Sequence, residues 1–200
     1  MNKYHLILIA AIVCTSIGTP GCNESVSKED ANKEETASKV TVAVTNPNFS
    51  IAPIEYAELA EKALLLFGKL DFDNWASMLA DDVLYFFPDG DVNTRTKLEG
   101  KAALLSWWKD WKTTSGIESM TMSEFNHTPV NATAQLKGGA PSGVHVISYF
   151  SNKLIYAGKP VDLRMNFVAH FNKDKKIDRY TTYYDRSIVI KTTGTNILAK

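Results

Sequence analysis

Cysteine is nearly absent from this chain, and both examples, Cys14 and Cys22, lie near its start. The remaining residues therefore form no disulfide among themselves and no thiolate metal site, and their stability rests on an apolar core. Charge of one sign is also lacking. Lysine and arginine total 22 against 22 aspartates and glutamates, which excludes nucleic-acid capture by general electrostatics. Long hydrophobic runs are missing too. The longest, Leu6 to Ile17, is short of the roughly 20 residues that cross a bilayer. The sequence has no HExxH, no histidine pair at ligand spacing, no GxSxG elbow and no phosphate-cradling glycine loop. The segment Asp89-Gly90-Asp91-Val92-Asn93 alternates oxygen ligands as a calcium loop does. Such a loop needs glycine where Thr94 stands and glutamate where Gly100 stands, so no metal and no cofactor is expected.

What is present begins with a start signal. Lys3, the apolar run and the small-residue stretch through Gly21 have the layout of a secretory signal peptide over residues 1–21. Cys22 follows immediately and resembles the acylated cysteine of a bacterial lipobox, although Thr19 and Pro20 depart from that pattern and only Gly21 fits it. The resemblance implies lipidation of Cys22, membrane attachment through the acyl chains and a place in the cell envelope. Cleavage before Cys22 leaves 21 basic and 22 acidic residues. Residues 22–52 read as a tether, because Asn23 to Lys39 has little to bury.

Residues 53–191 carry the periodicities of a folded α+β domain, with 192–200 as a tail. Helices are predicted over Ile54–Phe67, from an N-cap at Asp71 through Trp75 and Met78, and over Lys101–Thr113, where Leu104, Trp108 and Trp111 form a stripe. Strands are predicted at Val83–Phe87, Ile117–Asn126, Val144–Tyr156, Val161–Phe171 and Ile177–Ile190. Strands this long imply a curved sheet with helices in its concave side and a pocket in the space left over.

Leu79-Ala80-Asp81-Asp82-Val83 with Tyr85-Phe86-Phe87-Pro88, Gly100-Lys101-Ala102-Ala103-Leu104 with Trp107-Trp108, and Phe171-Asn172-Lys173-Asp174 with Tyr183-Tyr184-Asp185 together resemble the SnoaL-like branch of the NTF2-like superfamily. The resemblance implies a cone-shaped barrel of three N-terminal helices on a curved antiparallel sheet, a pocket at its wide end and homodimers through the outer sheet face. In the ketosteroid isomerases of that superfamily, an aspartate base, a tyrosine and a protonated aspartic acid do the chemistry. The matching positions here hold Phe87, Lys62 or Ala63, and Phe167, with Tyr56 too early, so that reaction is not expected.

The expected function is binding of a small apolar or amphipathic ligand by Trp75, Tyr85, Phe87, Trp108, Tyr149, Phe167 and Tyr183, with Asp185 as the polar element. The enzyme alternative is a cyclase, isomerase or hydrolase using Asp185, or a histidine such as His145. His127 and His170 are further imidazoles, and strand parity turns His170 outward. The third alternative is a protein-interaction or dimerisation module.

Overall fold

The computed structural model describes residues 48–89 and 95–196. The expected signal peptide, Cys22, most of the expected tether and the end of the expected tail lie outside the described residues. The helices form where the apolar spacing demands them. α1 (Glu55–Gly68) buries Ala57, Ala60, Ala63, Leu64 and Phe67 along one face. α2 (Phe72–Ala76) starts at Asp71, whose carboxylate accepts from Asn74 N–H at 3.4 Å and from the Asn74 amide at 2.8 Å. α3 (Lys101–Thr114) buries Leu104, Trp108 and Trp111.

Among the described residues, seven strands make one sheet: β1 (Phe49–Ile51), β2 (Leu79–Phe86), β3 (Lys97–Glu99), β4 (Ile117–Ala132), β5 (Gly143–Tyr156), β6 (Lys159–Phe171) and β7 (Ile177–Tyr184). They lie in the order β1-β4-β5-β6-β7-β2-β3. Neighbours run antiparallel except β2 and β7, which are parallel. The sheet is curved and unclosed, and its concave face holds the helices.

Register decides which side chains enter that concavity. In β5 the buried row is Val146, Ser148, Phe150, Asn152, Leu154 and Tyr156; in β6 it is Val161, Leu163, Met165, Phe167, Ala169 and Phe171. β4 changes parity at Glu124, whose φ of 55° marks a bulge between Ser123 and Asn126. Met120 and Met122 are buried before the bulge, and Phe125 lies 5.7 Å from the Phe150 ring after it.

The structure differs from these expectations at three places. The tether ends earlier than residue 52, since Phe49–Ile51 pairs with Val130–Ala132. The two three-residue strands β1 and β3 escaped the sequence reading. The last strand stops at Tyr184 rather than Ile190, and Arg186–Thr193 forms α4. Ile188-Val189-Ile190 has strand composition, but local capping overrides it. Asp185 accepts from Ser187 N–H at 2.9 Å, and Gly194, at φ 78°, returns its N–H to Ile190 O at 2.8 Å.

Candidate ligand cavity

Aromatic rings fill most of the cone. Trp108 is their hub, with centroids 4.7 Å from Phe67, 4.6 Å from Trp107, 5.1 Å from Trp111 and 5.8 Å from Tyr85. Edge-on packing dominates, as the ring quadrupoles prefer. Beside this hub a cavity of about 40 Å³ remains. Phe67 of α1, Tyr85 of β2 and Trp108 and Trp111 of α3 form one wall. Met120, Asn152, Leu154, Tyr156, Leu163, Met165 and Phe167 of the sheet form the other, and Tyr184 and Val189 close it. This space has the size of a few water molecules and is far below the several hundred Å³ of ordinary ligand sites. The pocket expected in the space left over by the helices is thus a narrow one, because the helix 3 tryptophans occupy much of the hollow.

The cavity's chemistry is neutral. Among the described residues, no carboxylate, imidazole, ammonium or guanidinium lines it. Burial raises the Tyr85 hydroxyl well above its ordinary pKa, and burial likewise raises Tyr156 and Tyr184; all three stay protonated near neutral pH. Three lining residues each carry a buried polar atom without a hydrogen-bond partner: Asn152 Oδ1, Trp108 Nε1 and Trp111 Nε1. An unpaired buried group of this kind costs about 1–3 kcal/mol. The other end of the Asn152 amide is occupied, with Nδ2 donating to Met165 Sδ at 3.4 Å.

Of the ligand-binding residues expected from sequence, Tyr85, Trp108 and Phe167 line the cavity. Trp75 and Phe87 are buried but stand behind the wall. Trp75 packs 5.1 Å from Phe67, and Phe87 packs 4.9 Å from Tyr85. Tyr149 and Tyr183 do not line it. They are 52% and 50% exposed and pair across the convex face with Asn166 between them. Asp185 is not the polar element either. It is exposed and caps α4, and hydrogen bonds from Ser187 lower its pKa, the reverse of an enclosed acid. The polar side chains that do line the cavity are Asn152, Tyr85, Tyr156 and Tyr184, and Asn152 was not among the expected site residues. Its signal lay in the parity shared with Val146, Phe150 and Leu154.

His145 sits opposite His170 in the β5–β6 register, on the convex face. Both rings are buried there by the β4–β5 connection, which they hold. His145 Nε2 lies 2.8 Å from Pro141 O and His170 Nε2 lies 3.0 Å from Ser142 O, while Arg179 donates to Gly139 O at 3.2 Å. Asp178 Oδ1 meets His170 Nδ1 at 2.5 Å. Gly143 permits this approach, since a Cβ there would lie 2.9 Å from His170 Nε2 and the backbone has φ 115°. Residues 90–94 of the considered calcium loop lie outside the described residues; Asp89 is ion-paired with Arg186.

One further constellation has the composition of a nucleophile relay. Ser148 Oγ lies 2.8 Å from His127 Nδ1, and His127 Nε2 lies 3.4 Å from Glu61 Oε2. Catalysis requires a place for the reacting atom about 3 Å from the nucleophile. Ser148 is 2% exposed and is not on the cavity wall, so the chain instead ties α1 to the sheet.

No protein-family model matches the sequence, and no curated protein matches it. Solved structures do. A candidate isomerase from Bacillus subtilis is similar over 72% of this chain and 96% of its own, at 20% identity and a TM-score of 0.53. A candidate polyketide cyclase from Xanthomonas campestris is similar over 69% of this chain and 96% of its own, at 18% identity and a TM-score of 0.53. An NTF2-like protein from Anabaena variabilis is similar over 68% of this chain and 92% of its own, at 16% identity and a TM-score of 0.50. Likenesses at this identity speak to architecture alone. Together with the strand order and the helix-filled concave face, they establish that the described domain has the NTF2-like cone fold.

Proposed function

We propose that this protein is an extracytoplasmic lipoprotein, anchored by acylation of Cys22, whose cone binds a small neutral apolar or amphipathic molecule. The observation that carries the binding reading is a cavity lined mainly by aromatic and aliphatic side chains, with Asn152 and three tyrosines as its polar members and buried polar atoms of Asn152, Trp108 and Trp111 that lack a partner within the protein. Interiors normally satisfy such groups, and a guest that does so gains their pairing on entry. The guest needs more room than 40 Å³, and α4 supplies the way in. Val189 is that helix's one buried residue and reaches the cavity, so a small outward movement of α4 opens the wall.

The enzyme alternative draws on the named isomerase and cyclase neighbours. It requires a group that exchanges protons near neutral pH beside the guest, and both residues nominated for it lie elsewhere: Asp185 at the α4 cap and His145 on the convex face. A neutral wall favours holding a molecule over transforming it.

Mass spectrometry of small molecules extracted from the purified protein tests the binding reading. A stoichiometric neutral lipophile is expected from the wild type and none from Leu163→Trp, which fills the cavity. An extract equally empty for both proteins rejects it. Cys22→Ser tests the anchor separately, since it should move the protein from the membrane to the soluble fraction.

A second reading, a homodimer through the convex face, is favoured by the row Tyr149, Asn166, Tyr183, which sets two half-exposed aromatic rings on one surface. Sedimentation of wild type against Tyr149→Glu tests it; a monomer in both cases removes it.

A further inference from the structure

We propose that the convex face carries a second binding site, for an oxyanion: a carboxylate or phosphate group seated at the rim of the Phe86 ring and held by the guanidinium edges of Arg95 and Arg179. The site lies on the far side of the sheet from the cavity and stands independently of what the cone holds.

Four side chains from three stretches of chain stack there. Tyr180 and Thr182 are buried on the concave side of β7, so Arg179 and Tyr183 face outward, and Phe86 of β2, paired beside Thr181, does too. Arg95 joins them from the chain leading into β3. Arg179 Cζ lies 4.2 Å from the Phe86 ring centroid. Arg95 Cζ lies 5.3 Å from the same ring and 5.0 Å from that of Tyr183. Such contacts use the flat face of a guanidinium and leave its N–H edge for an acceptor. Both arginines are half-buried and Tyr183 is 50% exposed, so solutes reach the cluster.

Charge sets this pair of arginines apart. Arg164 and Arg186 are ion-paired within the chain, to Glu124 and Asp89. Among the described residues, no carboxylate lies within ion-pair distance of Arg95 or Arg179. The chain offers them neutral carbonyls instead: Arg95 Nε donates to Phe87 O at 3.4 Å and Arg179 Nη1 to Gly139 O at 3.2 Å. Arg95 Nη2 and Arg179 Nε are buried with no hydrogen-bond partner, so neither fork is saturated by the protein. Neighbouring charges are engaged elsewhere. Asp178 attracts Arg179 but places Oδ1 on His170 Nδ1 at 2.5 Å. Lys97, opposite Phe86 in the β2–β3 register, is paired with Glu99 at 2.5 Å. The two guanidiniums are close enough to act on each other: burial lowers the pKa of Arg179, and the charge of Arg95 lowers it further. A shared anion turns that repulsion into attraction. A carboxylate or phosphate offers two oxygens to a planar fork, whereas a halide offers a single point.

Arginine Nε–H resonances of the full-length protein, followed through additions of sodium phosphate, sodium acetate and sodium chloride at equal ionic strength, test the assignment. Saturable shifts of Arg95 and Arg179 are expected with the oxyanions and not with chloride, and Arg164 and Arg186 should stay still throughout. Tighter binding of phosphate assigns the site to a phosphate group, and tighter binding of acetate assigns it to a carboxylate. Arg179→Lys keeps the charge and loses the fork, and should weaken the preferred anion about tenfold, read from Arg95. Should lysine there loosen the chain that Arg179 holds at Gly139, Arg95→Gln repeats the test with Arg179 as the reporter. Arg164→Gln should leave the affinity unchanged.

Shifts of equal size with chloride, or shifts shared by Arg164, would mean ionic screening only and overturn the site. Resonances of Arg95 and Arg179 that no salt moves overturn it as well. So does wild-type affinity in both Arg179→Lys and Arg95→Gln.

Discussion

The two faces of one sheet solve opposite problems with neighbouring residues. On the concave face, successive inward positions of β5 and β6 are almost all apolar, and the polar exceptions are held inside. Ser148 meets His127, while Asn152 keeps its oxygen unpaired. On the convex face the same strands carry titratable groups whose partners are local. Arg164 and Ser151 both donate to Glu124, at 2.8 and 2.5 Å, and His145 and His170 hold loop carbonyls. A histidine on the convex face therefore fastens a loop, and an amide on the concave face is buried beside the cavity with its nitrogen on Met165 Sδ. Residue type alone, which marked His145 as a catalytic candidate and passed over Asn152, inverts these roles; the face a residue occupies restores them.

The sharpest way to break this comparison is to truncate one aromatic on each face. Trp108→Ala removes the hub that touches Phe67, Trp107, Trp111 and Tyr85, and urea unfolding should show a loss of about 3–5 kcal/mol. Tyr149→Ala removes a ring that is 52% exposed, and should stay within about 0.5 kcal/mol. Comparable losses at the two sites would mean that the convex face is as covered as the core. Next in size is Gly143→Ala. It forces a side chain into φ 115° and brings a Cβ to 2.9 Å from His170 Nε2. A loss of about 1–3 kcal/mol is expected, and limited proteolysis should cut the 133–142 connection faster once His170 is pushed from Ser142.

Much of this architecture was legible because periodicity reports burial. The stripe Leu104, Trp108, Trp111 gave α3, and the alternation from Val161 to Phe171 gave β6 with its inward row. The site was less legible, for reasons that differ residue by residue. β1 and β3 are three residues each and exist through pairing with β4 and β2, so no local pattern marks them. Tyr149 and Tyr183 were assigned to the pocket because they are aromatic. Their register against the outward Asn166 places them on the other side, and that information is carried by pairing, not by composition. Ile188 to Ile190 has β propensity, and the caps at Asp185 and Gly194 outweigh it. The size of the cavity depends on how three tryptophan rings of one helix pack, which a linear pattern does not encode.

Asp185→Ala sharpens the comparison with a smaller effect. A catalytic carboxylate and a helix cap respond differently to this change. Losing the bond to Ser187 N–H should loosen α4, giving a drop in Tm below that of Gly143→Ala. The small molecule expected to co-purify with the wild type should still be recovered, since Asp185 is not on the cavity wall. Abolished binding with an unchanged Tm would return Asp185 to the site.

The smallest effect expected is a dependence on pH that draws on both faces together. Burial lowers the pKa of His127, against the raising influence of Glu61. Burial also lowers that of His145, against the bond to Pro141 O; His170 and Arg179 push it further down and Asp178 opposes them. Each ring is therefore harder to protonate in the folded chain than in the unfolded one, whose histidines titrate near 6.5. Above that pH neither state binds the protons and stability is full. As pH falls through it, the unfolded chain takes protons that the folded chain refuses, so stability declines until the folded rings also titrate. Thermal unfolding between pH 7.5 and 5 should show Tm falling, with His127→Gln and His145→Gln each removing part of the slope and the double variant most of it. A slope untouched by His127→Gln and abolished by His145→Gln would place the whole response on the convex face, and the α1–sheet tie through Glu61 would then be structurally indifferent to protonation.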